Sequence, residues 1–128
     1  MSNEDTVRQG YEAFGRGDMD TLRSIMQPDV IQSVPGNNKV SGDHKGVDSV
    51  LGYYATLFDL TGGTLKAELQ TATAKGADTV VAVHRLSAQR EGKSYDRDET
   101  LTFTFAGGKI SRLDEEHGDQ AAFDDFFS

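Results

Sequence analysis

The chain has 128 residues and no cysteine, so we expect one domain of ordinary size without disulfides, thiolate metal sites or a cysteine nucleophile. Its 21 acidic and 13 basic residues leave a net charge of −8 at pH 7, and no cluster of lysine and arginine provides the footprint of a nucleic-acid-binding protein. The start is polar, and no stretch approaches the ~18 apolar residues that a membrane span needs. We therefore expect a single domain over 1–128, cytoplasmic, with a small apolar organic molecule as partner rather than nucleic acid or a membrane.

The first half of the chain predicts three helices and a short strand. Val7, Tyr11 and Phe14 have helical spacing and follow Ser2, a residue typical of helix N-caps. In the sequence GRGD a glycine ends this helix, and Asp18 caps a second one that closes at Pro28. The remaining predictions are a strand over 29–35, a loop over 36–46 that contains a minimal strand, and a third helix from Val47 that TGG at 61–63 stops.

The second half switches from helical spacing to alternation with a period of two. Four strands are predicted at 64–74, 78–89, 93–105 and 109–117, with glycine in each separator, as hairpins require. Asp119 then caps a last short helix rich in phenylalanine. This order predicts an α+β domain in which a curved antiparallel sheet wraps around the N-terminal helices and leaves a cavity on its concave side.

The same order, read together with its local motifs, resembles the nuclear transport factor 2-like superfamily, and within it the SnoaL-like and ketosteroid-isomerase-related proteins. The motifs are YEAFGRGDMDTL (11–22), PDV and VPG within 28–36, SGDHKGVDSVLGYY (41–54), GGK (107–109) and GDQAAFDDFF (118–127). The resemblance implies a cone-shaped α+β barrel with a pocket between sheet and helices, and a homodimer formed through the sheet. Because the superfamily includes isomerases, dehydratases, epoxide hydrolases, cyclases and non-catalytic binding proteins, it leaves the activity open.

Ketosteroid isomerisation is not expected, because the residues that the resemblance assigns to it are missing. The position of the catalytic aspartate holds Ser33, the helical tyrosine position holds Gly10, and the second aspartate falls near Leu101. Tyr11, next to Gly10, points about 100° away on a helix. A serine hydroxyl without an adjacent base cannot abstract a carbon-bound proton.

The hairpin between the second and third predicted strands identifies candidate catalytic residues. A two-residue turn at Glu91–Gly92 places His84 opposite Glu99, on the phenylalanine-rich face that should look inward. A carboxylate beside an imidazole fixes its tautomer and raises its basicity, so the pair could act as a general base; alternatively, it is a buried polar pair that satisfies itself. Four charged residues of this hairpin are expected on the solvent side: Arg90, Lys93, Asp96 and Asp98.

The last hairpin leaves two registers open. A three-residue loop at 106–108 turns Leu113, Glu115 and His117 inward, whereas a two-residue loop at Gly107–Gly108 turns Asp114 and Glu116 inward. The resemblance favours the first register. His117 could equally be a surface residue before the Asp119 cap.

Two classes of function follow from these residues. One is a cofactor-free isomerase, cyclase or dehydratase, and the other is a non-catalytic ligand-binding or dimerisation module. The predicted catalytic residues are His84, Glu99 and His117, and the predicted substrate contacts are Tyr54, Tyr11, Ser33, Leu101, Phe103, Leu113 and Glu115. No metal site or cofactor is expected, because these residues lack local ligand spacing such as HxH or HExxH and no phosphate-binding loop is present.

Overall fold

The computed structural model describes residues 2–128, which have the α+β fold that the sequence predicts. Its elements in chain order are α1 (Asn3–Arg16), α2 (Met19–Ser24), β1 (Met26–Val34), β2 (Gly42–Lys45), α3 (Val47–Leu60), β3 (Lys66–Ala74), β4 (Thr79–Arg90), β5 (Lys93–Ala106), β6 (Lys109–His117) and α4 (Gln120–Phe126).

The strands form one curved, open sheet in the order β2-β1-β6-β5-β4-β3. Its neighbouring strands are antiparallel, as predicted, except β1 and β6, which run parallel. The strands β3 to β6 are joined by short turns, which force antiparallel pairing. No hairpin joins β1 to β6, so no short turn forces this pair to be antiparallel.

Local sequence signals determine the N-terminal helices. Ser2 and Asp5 form a reciprocal capping box at the start of α1, and Gly17 ends that helix with a left-handed φ of 67°. The Asp18 side chain then accepts a hydrogen bond from the backbone N–H of Thr21 and caps α2. These three predictions from the sequence are confirmed.

The predicted boundary between α2 and β1 is wrong. The helix ends at Ser24, and the strand begins at Met26 and runs through Pro28. Pairing with β6 is irregular between Met26 and Ile31, so Pro28 occupies a stretch where its missing N–H breaks no regular ladder. Between the two elements, the carbonyl oxygen of Ile25 accepts a hydrogen bond from the backbone N–H of Ile110.

The helices pack on the concave face of the sheet and enclose the core. Its largest fully buried side chains include Phe123, Phe126 and Phe127 around α4, and Ile110 and Leu113 on β6. None of the helices within residues 2–128 combines the length and the hydropathy that crossing a membrane would take.

The α4 helix is fastened at its C-terminal end by the β4–β5 hairpin. Arg90 was expected in solvent, but its side chain is only 5% exposed and donates to the carbonyl oxygens of Phe126 and Ser128. Lys93 donates to the carbonyl oxygen of Asp125. Cations at the C-terminal carbonyls of a helix complement its dipole, which explains why Arg90 faces inward despite its charge.

Candidate functional site

The β4–β5 register places the predicted residues on the concave face. Arg90 pairs with Lys93 across a two-residue turn, and His84 lies directly opposite Glu99, as the sequence predicts. Both turn residues, Glu91 and Gly92, have positive φ, which is the geometry that matches the twist of two hairpin strands. His84 and Glu99 are 8% and 3% exposed, so both are buried on the inner side.

The β5–β6 hairpin combines features of both open registers. Its turn is the two-residue one at Gly107–Gly108, because Ala106 pairs with Lys109. A bulge then leaves Ser111 unpaired, so that Phe103 pairs with Leu113. The extra residue reverses the alternation, and Leu113, Glu115 and His117 face inward, whereas Asp114 and Glu116 face outward.

A cavity of about 80 Å³ lies between the sheet and helices α1, α2 and α3. Most of its wall is apolar, with the predicted contacts Leu101, Phe103 and Leu113 among the lining residues. Six polar side chains also reach it: Tyr11, Gln32, Tyr53, Tyr54, His84 and Glu115. An apolar cavity with a few convergent polar groups is the usual form of a small-molecule site, although ligand pockets are commonly larger, at roughly 300–1,000 Å³.

His84 is held by Tyr11 rather than by Glu99. The Tyr11 hydroxyl lies 2.6 Å from Nδ1 of the imidazole. Burial lowers the pKa of His84 from 6.5 to about 4, against the opposing charge of Glu115, so the ring is neutral near pH 7. Burial also raises the pKa of Tyr11 well above its ordinary value, so the phenol keeps its proton. We assign the Tyr11 O–H as donor to Nδ1, which leaves the proton of the neutral imidazole on Nε2.

Nε2 of His84 is the ring atom available to a ligand. His84 uses Nδ1 for its bond to Tyr11, and Nε2 has no hydrogen-bond partner within residues 2–128. Because every fully buried side-chain nitrogen or oxygen atom in this range has a partner, Nε2 is not fully buried. Because His84 lines the cavity, an Nε2–H group can donate to a molecule bound there.

Glu99 serves a different purpose from the one predicted. Its Oε1 accepts from the Tyr95 hydroxyl at 2.5 Å, and its Oε2 accepts from the backbone N–H of Gly118 at 3.2 Å. Burial raises the pKa of Glu99 to about 7, although these hydrogen bonds oppose the shift. The predicted arrangement, with Glu99 orienting His84, is therefore replaced by one in which Glu99 holds the junction between β6 and α4.

Glu115 is the carboxylate of the cavity, and three side chains donate to it. Its Oε2 accepts from the Tyr53 hydroxyl at 2.7 Å and from Nε2 of Gln32 at 2.9 Å, and its Oε1 lies 3.3 Å from Nε2 of His117. Tyr54, predicted as a substrate contact, donates to Oε1 of Gln32 at 2.6 Å. Tyr54 thus fixes the orientation of the Gln32 amide, and Gln32 in turn orients Glu115.

His117 is not on the surface, which was one of the two interpretations of its position. Its side chain is 0% exposed and stacks on Phe123, with ring centroids 3.6 Å apart. Burial by itself lowers the pKa of His117, but its hydrogen bond to Glu115 and the charges of Glu99 and Glu115 outweigh burial, and the net shift is upward.

Gln32 and Tyr53 were missed from the sequence, and Ser33 was assigned in place of Gln32. Ser33 lies on the opposite face of β1 from the buried Gln32, because neighbouring side chains of a strand alternate. The signal was present: Gln32 is the polar residue in the buried row that Val30 and Val34 define. Tyr53 falls three residues after Val50 and four before Leu57, on the buried stripe of α3.

No set of three or more histidine, aspartate or glutamate side chains within residues 2–128 is arranged to hold a metal ion. The polar groups of the cavity bind one another: Tyr53, Gln32 and His117 contact the Glu115 carboxylate, and Tyr54 donates to Gln32.

Comparison with known proteins agrees with this architecture. The family model described as SnoaL-like domain matches residues 7–113. The uncharacterized protein Rv0034 of Mycobacterium tuberculosis is 38% identical over 124 residues, which covers 97% of this chain and 95% of that protein. The structure of Bal32a, from a soil-derived mobile gene cassette, has a TM-score of 0.95 and 34% identity over 97% of this chain and 95% of its own.

A more distant structure shares the fold alone. A putative SnoaL-like polyketide cyclase from Jannaschia sp. CCS1 superposes with a TM-score of 0.80 and 21% identity, covering 97% of this chain and 90% of its own. The open, curved sheet and its helices thus have the nuclear transport factor 2-like fold. Within that class, the chain belongs to the SnoaL-like domain family.

Proposed function

We propose that this protein binds a compact, mainly apolar molecule that carries a carbonyl group, and that it catalyses cofactor-free proton transfer at the carbon next to that carbonyl. The observation that carries the proposal is that a neutral His84 and the carboxylate of Glu115 line the same, mainly apolar cavity. The modest cavity volume of about 80 Å³ favours a compact substrate.

The two residues have complementary roles in this proposal. A carboxylate oxygen of Glu115 removes the proton from carbon, and the electron pair of the broken C–H bond moves onto the carbonyl oxygen. Nε2–H of His84 donates to that oxygen as its negative charge develops. A neutral imidazole acting as a donor needs a low pKa, and burial lowers that of His84 to about 4.

The proposed enolate can be consumed in three ways. Where a C=C bond is conjugated with the enolate, return of the proton from Glu115 to the far carbon of that bond gives an isomer. Attack of the α-carbon on a second carbonyl closes a ring, and loss of a β-hydroxyl, which takes the proton from Glu115 and leaves as water, gives a dehydrated product. An isomerase, a cyclase and a dehydratase therefore share the first step. The proposal keeps the predicted pairing of a histidine with a glutamate, but the glutamate is Glu115 instead of Glu99.

Exchange of carbon-bound hydrogen tests the first step without knowledge of the product. The protein is incubated in heavy water with small cyclic ketones, and loss of the α-proton signal is followed by NMR. We expect exchange above the buffer rate, a loss of roughly 100-fold or more in Glu115→Gln, and a similar loss in His84→Gln. Asp43→Asn, an exposed change on β2, is the matched control and should exchange like the unmodified protein.

The alternative function, a non-catalytic binding module, gives a different result in the same samples. Ketones that shift the resonances of cavity residues without any exchange would support binding alone. Absence of both shifts and exchange across the panel would contradict the proposal.

The proposal includes a homodimer formed through the outer face of the sheet. Support comes from the small uncharged side chains that pair there, Val81 with Thr102 and Val83 with Thr100. These four side chains carry no charge that would have to be desolvated when two sheets meet, and the charged side chains beside them on this face are Asp114 and Glu116 of β6. Light scattering should give twice the monomer mass, and Val83→Lys should reduce it towards the monomer. An unmodified protein that is monomeric at high concentration would contradict the dimer.

A further inference from the structure

His117 has a hydrogen-bond environment that admits one protonation state. His117 is the last residue of β6, and its side chain has no exposed surface. Its ring stacks on that of Phe123. Each ring nitrogen faces an oxygen atom: Nδ1 lies 3.1 Å from Oε1 of Gln120, and Nε2 lies 3.3 Å from Oε1 of Glu115.

Neither of these oxygen atoms can donate. The amide of Gln120 is oriented by its nitrogen, which donates to the carbonyl oxygen of Pro35 and to Oδ1 of Asp124, so its oxygen faces the ring as an acceptor. An ionised glutamate is likewise an acceptor. Both nitrogens of His117 must therefore donate, and only the charged imidazolium has two N–H groups.

The charges around the ring support this state. Glu99 on β5 lies directly opposite His117 in the sheet, Glu115 lies on β6, and Asp124 faces the ring from α4. The other histidine that interacts with His117 is His84 on β4, and burial keeps the His84 ring neutral, so it does not oppose the charge of His117. The pKa of His117 is raised in spite of burial, which agrees with the geometry.

We infer that His117 is a positioning residue: a buried imidazolium that aims the Glu115 carboxylate at the cavity and ties it to the N-terminal turn of α4. One nitrogen binds the cavity carboxylate, and the other binds Gln120, the first residue of α4. Phe123, on the next turn of α4, both stacks on the ring and lines the cavity. The orientation of Glu115 and the docking of α4 are therefore coupled through a single proton on His117.

Close contacts hold the N-terminal part of α4 in place, so that it cannot shift far relative to His117. A Cβ atom on Gly118 would lie 2.8 Å from the carbonyl oxygen of Asp98, so only glycine allows the chain to approach β5 here and donate to Glu99. A Cβ on Gly36 would collide with the side chains of Asp124 and Gln120. The C-terminal end is held separately by Arg90 and Lys93.

The coupling has a defined dependence on pH. When the pH rises through the elevated pKa of His117, one ring nitrogen loses its proton, and either Glu115 or Gln120 loses its donor. The N-terminal turn of α4 should then open more often, whereas the C-terminal carbonyls stay bound to Arg90 and Lys93. This inference rests on the proposed function only where it names Glu115 as the base. The inference can therefore be tested without any ligand.

Nitrogen NMR of the histidine rings, with no ligand present, tests the protonation state directly. At about pH 7 we expect the two-proton signature of an imidazolium for His117 and a neutral ring for His84. Amide hydrogen exchange at 120–123, followed from about pH 6 to about pH 9 and corrected for the intrinsic rate, should speed up roughly tenfold as His117 deprotonates.

Changes at Gln120 separate positioning from simple packing. Gln120→Glu keeps an acceptor at Nδ1 and adds a negative charge, so the pKa of His117 should rise; Gln120→Leu removes the acceptor, so the pKa should fall. In Gln120→Leu the resonances of Tyr53 and Gln32, which bind Glu115, should shift as well. Asp125→Asn, an exposed change on the same helix, is the control and should leave all these signals in place.

A neutral His117 at about pH 7 would overturn the inference, as would exchange at 120–123 that ignores the titration of His117. A pKa of His117 that is the same in both Gln120 variants would also overturn it. Because these readings need no ketone, failure of the proposed proton transfer leaves them unaffected, and the two ideas fail separately.

Discussion

Two histidines share one inward-facing row of the sheet, separated by Glu99, yet their pKa values move in opposite directions. His84 pairs across the strands with Glu99, and Glu99 pairs with His117. Burial disfavours the charge of each ring. The ring beside a phenol, His84, becomes neutral, whereas the ring between a carboxylate and an amide oxygen, His117, keeps its charge. The partner that each nitrogen meets therefore decides the charge of a buried histidine, and depth alone does not.

The difference gives the two ends of the site separate tasks. Near α1, Tyr11 fixes the tautomer of His84 and leaves Nε2–H free for a ligand. Near α4, His117 holds Glu115 and the chain end in place. Glu115 and the neutral Nε2–H donor of His84 thus line one cavity without forming an ion pair. The positive charge lies on His117, which contacts Glu115 but does not line the cavity.

The largest effect should come from removing the ring that packs on His117. Phe123 is 1% exposed, so Phe123→Ala should lower the free energy of unfolding by about 3–5 kcal/mol, which urea titration measures. The nitrogen signals of His117 should move, and those of His84 should stay, because Tyr11 is untouched. Phe58→Ala, at a partly buried position, is the control with an expected smaller loss. Equal shifts at both histidines would show that the two ends are not separate.

The next effect concerns the dependence of the free energy of unfolding on pH, in which the contributions of Glu99 and His84 partly cancel. Glu99 has its pKa raised from 4.5 to about 7, so its stabilising contribution is complete below about pH 4.5 and is lost as the pH rises through 7. His84 has its pKa lowered from 6.5 to about 4, so its contribution is complete above about pH 6.5 and is lost as the pH falls through 4. Between these limits the two slopes oppose each other.

Replacing either residue should expose the slope of the other. Relative to the unmodified protein, Glu99→Gln should gain stability with rising pH between about 4.5 and 6.5, by roughly 2–3 kcal/mol over the window. His84→Gln should lose stability over the same window by a similar amount. Urea midpoints at a series of pH values provide the measurement, and Asp43→Asn should run parallel to the unmodified protein. Parallel curves for Glu99→Gln as well would mean that the carboxyl does not titrate there.

The smallest effect tests the tautomer of His84. Tyr11→Phe removes the hydroxyl bound to Nδ1 and should cost about 1 kcal/mol of unfolding free energy. The nitrogen signals should change from a single tautomer, with the proton on Nε2, to a mixture of both. Tyr54→Phe removes a comparable bond, to Gln32, and should leave the tautomer of His84 unchanged. If Tyr11→Phe also leaves it unchanged, then Tyr11 does not select the tautomer.

Much of the fold follows from short-range signals that the sequence displays. The capping box at Ser2, the left-handed Gly17 and the turn at Glu91–Gly92 are local, and each was predictable. The alternation of side chains in β4 and β5, together with that turn, is enough to place His84 and Glu99 on one face. Period and turn chemistry act over a few residues, so one sequence suffices to recognise them.

The sequence by itself thus determined the order of elements and the inward rows of β4 and β5. Only the tertiary structure decided the bulge at Ser111, the extension of β1 through Pro28, and the partners of the inward residues. Tyr11 reaches His84 across 73 residues, and Gln32 reaches Glu115 across 83. Such contacts depend on how elements far apart in the sequence pack together. A hydrogen bond between residues so far apart produces no periodic pattern in the sequence from which it could be predicted.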